Sequence, residues 1–255
     1  MGKIILLLFP VFTFFLPANE TKKVIVNYAF PEFKEVFYVL KSEISSRHGS
    51  YTLSSKGNVL VQGFYKMGMR DSLWLQFNPD GVIRASGHFA KNRRVGIWDF
   101  YNNKAELEQK INFSTNEVLI YTTPNIKCYF QIFREKDTIM TELERPPLYI
   151  GGSSKLKEYI INELTIPLHK KNEKISGTVV VEFRIDSTGK TSDHRVLKGI
   201  GRACNDEALR VLRSFPDGWL PGMFCGKPVS VQYIIPIVFD QNTQIFDPYL
   251  PIKNK

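Results

Sequence analysis

Apolar and polar positions alternate with two different periods along this chain, and each change of period marks a new element. Val179, Val181, Phe183 and Ile185 alternate with Thr178, Val180, Glu182 and Arg184, the pattern of a strand with one face in a core. Asp186-Ser187-Thr188-Gly189 supplies turn chemistry, and His194 to Leu197 resumes an extended run, so a hairpin is predicted. A helix follows. Asn205 reads as its N-cap, with Asp206 and Glu207 bringing negative charge to the first turn, where the helix dipole favours it. Ala208, Leu209, Val211, Leu212 and Phe215 form an apolar stripe, Arg210 and Arg213 lie near the far end, and Pro216-Asp217-Gly218 stops the helix. Val229, Val231 and Tyr233 then alternate as a third strand. Strand, strand, helix, strand makes a small α+β sandwich in which the helix covers one sheet face.

Upstream of this, Ser153 or Ser154 is the expected N-cap of another helix, carrying Leu156, Ile160 and Leu164 and ended by Pro167. Arg145-Pro146-Pro147 is the expected domain boundary, because consecutive prolines favour an extended connector. Before it, Ile126 to Phe133 and Thr138 to Leu143 read as one hairpin turning at Glu135-Lys136-Asp137. Val24 to Tyr28 reads as a short strand near the start.

Between them the texture repeats. Gly49-Ser50-Tyr51, Ser72-Leu73-Trp74 and Gly96-Ile97-Trp98 correspond, as do Gly57, Gly81 and Ala105. The pairs Gly63 with Tyr65, Gly87 with Phe89 and Ile111 with Phe113 follow the same period of about 24 residues. Polar turns such as Lys66-Met67-Gly68 and Lys91-Asn92-Arg93 separate the units. Each unit is thus one β-hairpin, too small to hold a core alone, so neighbours must stack. The rings of Tyr51, Tyr65, Trp74, Phe77, Phe89, Trp98, Tyr101 and Phe113 are expected to be the packed face of that sheet rather than a binding platform.

Two resemblances rest on these residues. The C-terminal part is similar to the TonB C-terminal domain, through Pro147 with Gly151-Gly152, Ile166-Pro167, Ile175 to Phe183, Asp186 with Gly189, Ala208-Leu209, Trp219 with Pro221-Gly222, and Gly226-Lys227-Pro228-Val229 before Pro236 and Phe239. The repeats resemble the bacterial MORN type, with the third unit departing at Ala105. The expected organisation is a signal peptide at 1–18, an all-β domain of stacked hairpins at 19–144, an α+β TonB C-terminal-like domain with two helices at 145–240, and a tail at 241–255.

The start of the chain bears on location. Lys3 precedes an apolar run from Ile4 to Leu16, interrupted by Pro10 and Thr13 and followed by Pro17-Ala18. That is the layout of a secretory signal, cleaved after Ala18 and too short for a comfortable membrane span. Export to the periplasm is expected, with an uncleaved inner-membrane anchor as the alternative. The chain has 255 residues, 43% hydrophobic and 13% aromatic, the composition of a folded globule. Its net charge of +9 comes from Lys and Arg scattered through both halves, so no nucleic-acid partner is expected. Cys128, Cys204 and Cys225 would meet an oxidising compartment; an odd count leaves at least one unpaired, and pairing of Cys204 with Cys225 stays open.

Catalytic chemistry is missing. Gly189-Lys190-Thr191 ends like a phosphate-binding loop, but Arg184 stands at the earlier glycine position and the segment is a hairpin turn. Gly199 and Gly201 mimic a dinucleotide fingerprint whose third position is Cys204, with no βαβ unit around it. His48, His88, His169 and His194 lack partners at metal-ligand spacing, and no nucleophile elbow is present. The chain is read as a binding protein, with no enzyme activity, metal or cofactor.

A sheet edge can accept a foreign strand. The expected edge is the last strand, Val229 to Phe239, because Pro236 cannot donate to a ladder. The TonB resemblance implies docking on a segment of an outer-membrane TonB-dependent transporter, with inner-membrane motor proteins behind it. Carried over by position, the partner-binding residues are Ile166 and Pro167, where the family usually has Tyr-Pro, and Ser230, Val231, Gln232, Tyr233 and Ile234. Exchange of the last strand between two copies would give a homodimer. The other reading is an envelope adaptor or scaffold that binds a protein or glycan through its repeats.

Overall fold

The computed structural model describes residues 20–122, 128–134, 137–167 and 176–240; the expected signal peptide and tail lie outside them. The chain divides into two compact units, one comprising Met1–Gly81 with Gly87–Val95 and the other Val82–Ser86 with Gly96–Lys255.

The first unit contains β1 (Thr21–Tyr28), β2 (Phe33–Leu40), β3 (Arg47–Ser55), β4 (Asn58–Lys66) and β5 (Met69–Phe77). Each pairs antiparallel with its neighbour in sequence. The β6 (Ile83–Ala90) and β7 (Arg93–Tyr101) strands are each divided between the units. Turn chemistry sets this serial order. Lys56-Gly57, Met67-Gly68 and Lys91-Asn92 all hold two successive positive φ angles, the backbone that matches the twist of tight hairpins. The three positions equated in the repeat, Gly49, Ser72 and Gly96, share a positive φ as well, at 113°, 59° and 61°. Ala105, at the position where the first two units have glycine, adopts φ 60° all the same.

The aromatic rings pack as expected. Tyr51, Trp74, Phe89 and Trp98 are buried, while Tyr65, Phe77, Tyr101 and Phe113 are half-buried. Within the first unit Tyr51 stacks on Trp74 at 5.6 Å, and Tyr65 and Phe89 meet Trp74 edge-on. Gly63 forms the floor beneath that indole: a Cβ there would come within 2.3 Å of the ring. Arginines cover the rings, with Arg47 4.4 Å from the Phe37 centroid and Arg70 4.2 Å from that of Phe89, a favourable cation–π geometry. Glu35 accepts hydrogen bonds from Arg47 and Tyr51.

In the second unit β7 pairs with β8 (Leu107–Asn112), and β8 with β9 (Glu117–Tyr121). Then come β10 (Tyr129–Phe133), β11 (Thr138–Glu142), the short β12 (Leu148–Tyr149) and α1 (Gly152–Glu163). They are followed by β13 (Ser176–Ile185), β14 (Thr191–Lys198), α2 (Arg202–Arg213), the short β15 (Trp219–Leu220) and β16 (Gly222–Phe224), and the long β17 (Lys227–Asp240). A sheet runs in the order β11-β10-β17-β13-β14, with β16 also on β17 and β12 paired separately with β15. The β10–β11 hairpin, expected with the repeats, therefore extends this sheet instead.

The α+β core is dense. Val179, Val181, Phe183 and Ile185 of β13 and Val231, Tyr233, Ile235, Ile237 and Phe239 of β17 point to one face, all at most 4% exposed. Leu156 and Ile160 of α1 and Ala208, Val211 and Leu212 of α2 cover that face.

Both helix starts differ from expectation. The α1 helix begins at Gly152 with Gly151 before it, so Ser153 and Ser154 lie inside its first turn. Its cap comes from elsewhere: the Glu108 carboxylate on β8 accepts from the Ser154 N–H at 3.1 Å and from the Ser153 hydroxyl. The α2 helix begins at Arg202, three residues before Asn205, and has no acidic residue in its first turn. Gly201, at φ 135°, lets the chain enter the helix early, and the Asn205 side-chain Oδ1 turns back to accept from Ile200 N–H at 3.2 Å.

Candidate binding margin of the second sheet

The residues expected to bind a partner fall on two elements. Ile166 and Pro167 follow α1 and are half-buried. The segment is fastened by Glu207 of α2, whose carboxylate accepts from Thr165 N–H at 2.7 Å while pairing with Arg210. That Arg210 pair holds the Glu207 carboxyl below the usual range. Glu207 thus serves a neighbouring segment rather than its own helix dipole.

Ser230 to Ile234 belong to β17. This strand is not the sheet margin at its start, as the pattern had suggested: Ser230 and Val231 pair with Phe133 and Ile132 of β10 on one side, and Val231 with Ile185 of β13 on the other. Val231 and Tyr233 also turn their side chains into the core, at 0% and 4% exposure. Gln232 and Ile234 face the opposite side of the sheet and are half-buried. The outermost strands of the order are β14 and β11.

Beyond Val231 no described strand pairs with this side of β17, although Pro236 is buried. Register with β13 is unbroken from Val231↔Ile185 to Asp240↔Ser176, passing through Pro236↔Val180. A proline has no N–H, so a continuous antiparallel ladder requires its nitrogen to point away from β13. By the alternation of strand backbone, Ile234 and Val238 then present their peptide groups to the same outer side. Among the described residues no strand pairs with Ile234, Pro236 or Val238 there. What they offer is an interrupted ladder: a donor at 234, none at 236, a donor at 238.

The rest of this unit is occupied by structure. Asp186 accepts from the amides of Thr188 and Lys190, closing the β13–β14 turn; these amides, with the Thr188 hydroxyl, outweigh its burial and lower its carboxyl pKa. Glu182 pairs across the ladder with Arg195. The His194 ring lies flat on Phe183, 5.2 Å away with 10° between planes. Burial, and then the charge of Arg213, keep its pKa below the ordinary 6.5. Cys128, Cys204 and Cys225 form no disulfide among the described residues; Cys204 is buried and Cys225 exposed. Among the described residues no cluster of three His, Cys, Asp or Glu side chains could hold a metal ion, and no helix is long and apolar enough to cross a membrane.

Missed from the sequence were the parts played by Glu108 and Gln109. Gln109 donates to the Tyr149 carbonyl at 3.3 Å and accepts from Gly151 N–H at 2.8 Å. Two adjacent polar residues at buried strand positions were the signal that could have found them.

Residues 163–240 match the family described as Gram-negative bacterial TonB protein C-terminal. The match runs from the last residue of α1 to the last residue of β17, so it takes in β13, β14, α2 and β17. It does not extend to the repeats or to the β10–β11 hairpin. No curated protein and no solved structure matches the chain.

Proposed function

We propose that this chain is a TonB-like binding protein of the cell envelope, acting in TonB-dependent transport across the outer membrane by adding a transporter segment to the margin of β17. The observation that carries the reading is the family match over residues 163–240, on a sheet whose last strand presents Ile234 and Val238 outward. The family is a non-enzymatic energy transducer, in keeping with the lack of a catalytic constellation in the sequence. Main-chain hydrogen bonds would supply affinity and the half-buried Gln232 and Ile234 selectivity. Ile166 and Pro167 would be a second contact, and export by the N-terminal segment would place the chain in the periplasm.

The test follows from the parity of β17. Proline at Ile234 or Val238 removes a donor from the outer side without touching the β13 ladder. Labelled peptides from the plug-proximal segment of TonB-dependent transporters should bind the full chain, and Ile234→Pro should weaken them. Equal binding by the parent and by both proline variants would sink strand addition here.

A second reading, an adaptor working through its MORN-type repeats, draws on a different observation. Upstream of the TonB-like segment the first unit is a folded, turn-rich sheet where an energy transducer would carry an extended spacer. The N-terminus of the mature protein discriminates. A Met1 end retained in the membrane favours transduction with motor proteins, and a start near Asn19 favours the adaptor.

A further inference from the structure

We propose that the β10–β11 hairpin is a built-in occupant of the strand-addition margin, which a partner segment must displace to pair along the whole of β17. The proposal rests on the reading above that this margin receives a strand.

The geometry distinguishes the two neighbours of β17. On one side β13 pairs with it at ten consecutive positions, from Ser176↔Asp240 to Ile185↔Val231. On the other β10 pairs at two, Ile132↔Val231 and Phe133↔Ser230, although β10 and β11 pair with each other at five. The hairpin is a coherent unit attached through a short ladder. Its side chains complete the attachment. Ile132 is fully buried against Val231 and Leu143, Phe130 stacks on Tyr233 at 6.3 Å and 10°, and the Arg184 guanidinium lies 3.7 Å above the Phe133 ring. The outer strand adds Ile139 to the same cluster, while its neighbour Met140 is 64% exposed. Elements with few ladder bonds to the body of a sheet open at the lowest free-energy cost.

Such a device also specifies its competitor. A segment that replaces β10 must satisfy what β10 satisfies. It needs an aliphatic side chain over Val231 and Leu143, a ring two residues earlier over Tyr233, and an extended backbone for Ser230. It can then continue past Ile234, opposite which β10 begins at Tyr129, to the donor of Val238. The partner chemistry is therefore an extended peptide with a ring and an aliphatic residue on one face.

The chain's own strand provides the probe. A labelled peptide copying Tyr129 to Arg134 is titrated against the full chain, against Ile132→Asp, which places a charge in the buried socket, and against Phe133→Cys with Ser230→Cys, which can be bridged across the ladder. Where the competent open state is a minor population, apparent affinity falls by its fraction, so Ile132→Asp is expected to bind about tenfold or more tighter than the parent. The bridged variant should not bind, and should return to parental affinity on reduction. Because Ile132→Asp could unfold the sheet, the oxidised and reduced forms of the double variant give the second, independent comparison. Equal affinity of bridged and reduced forms overturns the proposal. A transporter peptide that fails on a variant that takes the Tyr129–Arg134 peptide overturns the functional reading alone.

Discussion

In the first unit β3, β4 and β5 meet only their neighbours in sequence, whereas in the second β17 lies between β13 and β10, both distant from it along the chain. The serial sheet takes its register from turns and bulges. Gly57, Gly68 and the positive φ at Gly49 and Ser72 fix where each strand reverses and which face its rings take. The mixed-order sheet takes its register from burial, because sliding β17 by one residue would move Val231, Tyr233, Ile235, Ile237 and Phe239 out of the core. Local geometry specifies the one and non-local packing the other, and the second must offset a larger loop-closure entropy.

Substitutions that touch only one kind of determinant test this contrast, with strand-resolved hydrogen exchange and urea unfolding as the measurements. The largest effect is expected from Phe183→Ala, which empties a site 1% exposed beneath the helices and should cost about 3–5 kcal/mol. Retention of full protection in β13 and β17 would mean that burial does not hold that sheet. Next is Gly63→Ala, which drives a methyl into the Trp74 indole. A loss of about 1–3 kcal/mol is expected, seen as faster exchange in β4 and β5. Unchanged exchange would show that the ring is not seated on that glycine.

Smaller effects sharpen the contrast. Glu108→Ala removes the acceptor for the first turn of α1 and should cost about 1–2 kcal/mol, with fraying confined to that turn; Glu108→Gln keeps an acceptor oxygen and should lose less. Ser72→Gly goes the other way. Ser72 holds φ 59°, so glycine should gain up to about 1 kcal/mol. Destabilisation there would mean that the Ser72 hydroxyl bond to Asp71 outweighs the backbone strain.

The same contrast explains what could be read from the chain. Strands 176–185 and 191–198, the turn at Asp186 and the stripe of α2 were legible, because period and turn residues are local properties. The repeat was legible too, down to Gly49, Ser72 and Gly96, whose shared positive φ gives the sequence correspondence its physical basis. Helix starts were misread wherever the cap was not local. Ser153 and Ser154 are good N-cap residues, but a carboxylate more than forty positions away supplies the cap, and Asn205 lies inside its helix and bonds back to Ile200 before it. Pro236 correctly marked a position without a ladder donor, yet a proline constrains only its own nitrogen. It could not report that β10 covers Ser230 and Val231, since strand neighbours distant in sequence leave no trace in local pattern.

Glu108 also bears on where this polypeptide can be divided. Excision at Pro146-Pro147 would carry α1 away from the oxygen that serves its leading amides, and trimming to residues 163–240 would discard nearly all of that helix and with it Leu156 and Ile160. A piece that keeps α1 whole and its first turn capped is therefore longer than the family match and reaches back to β8.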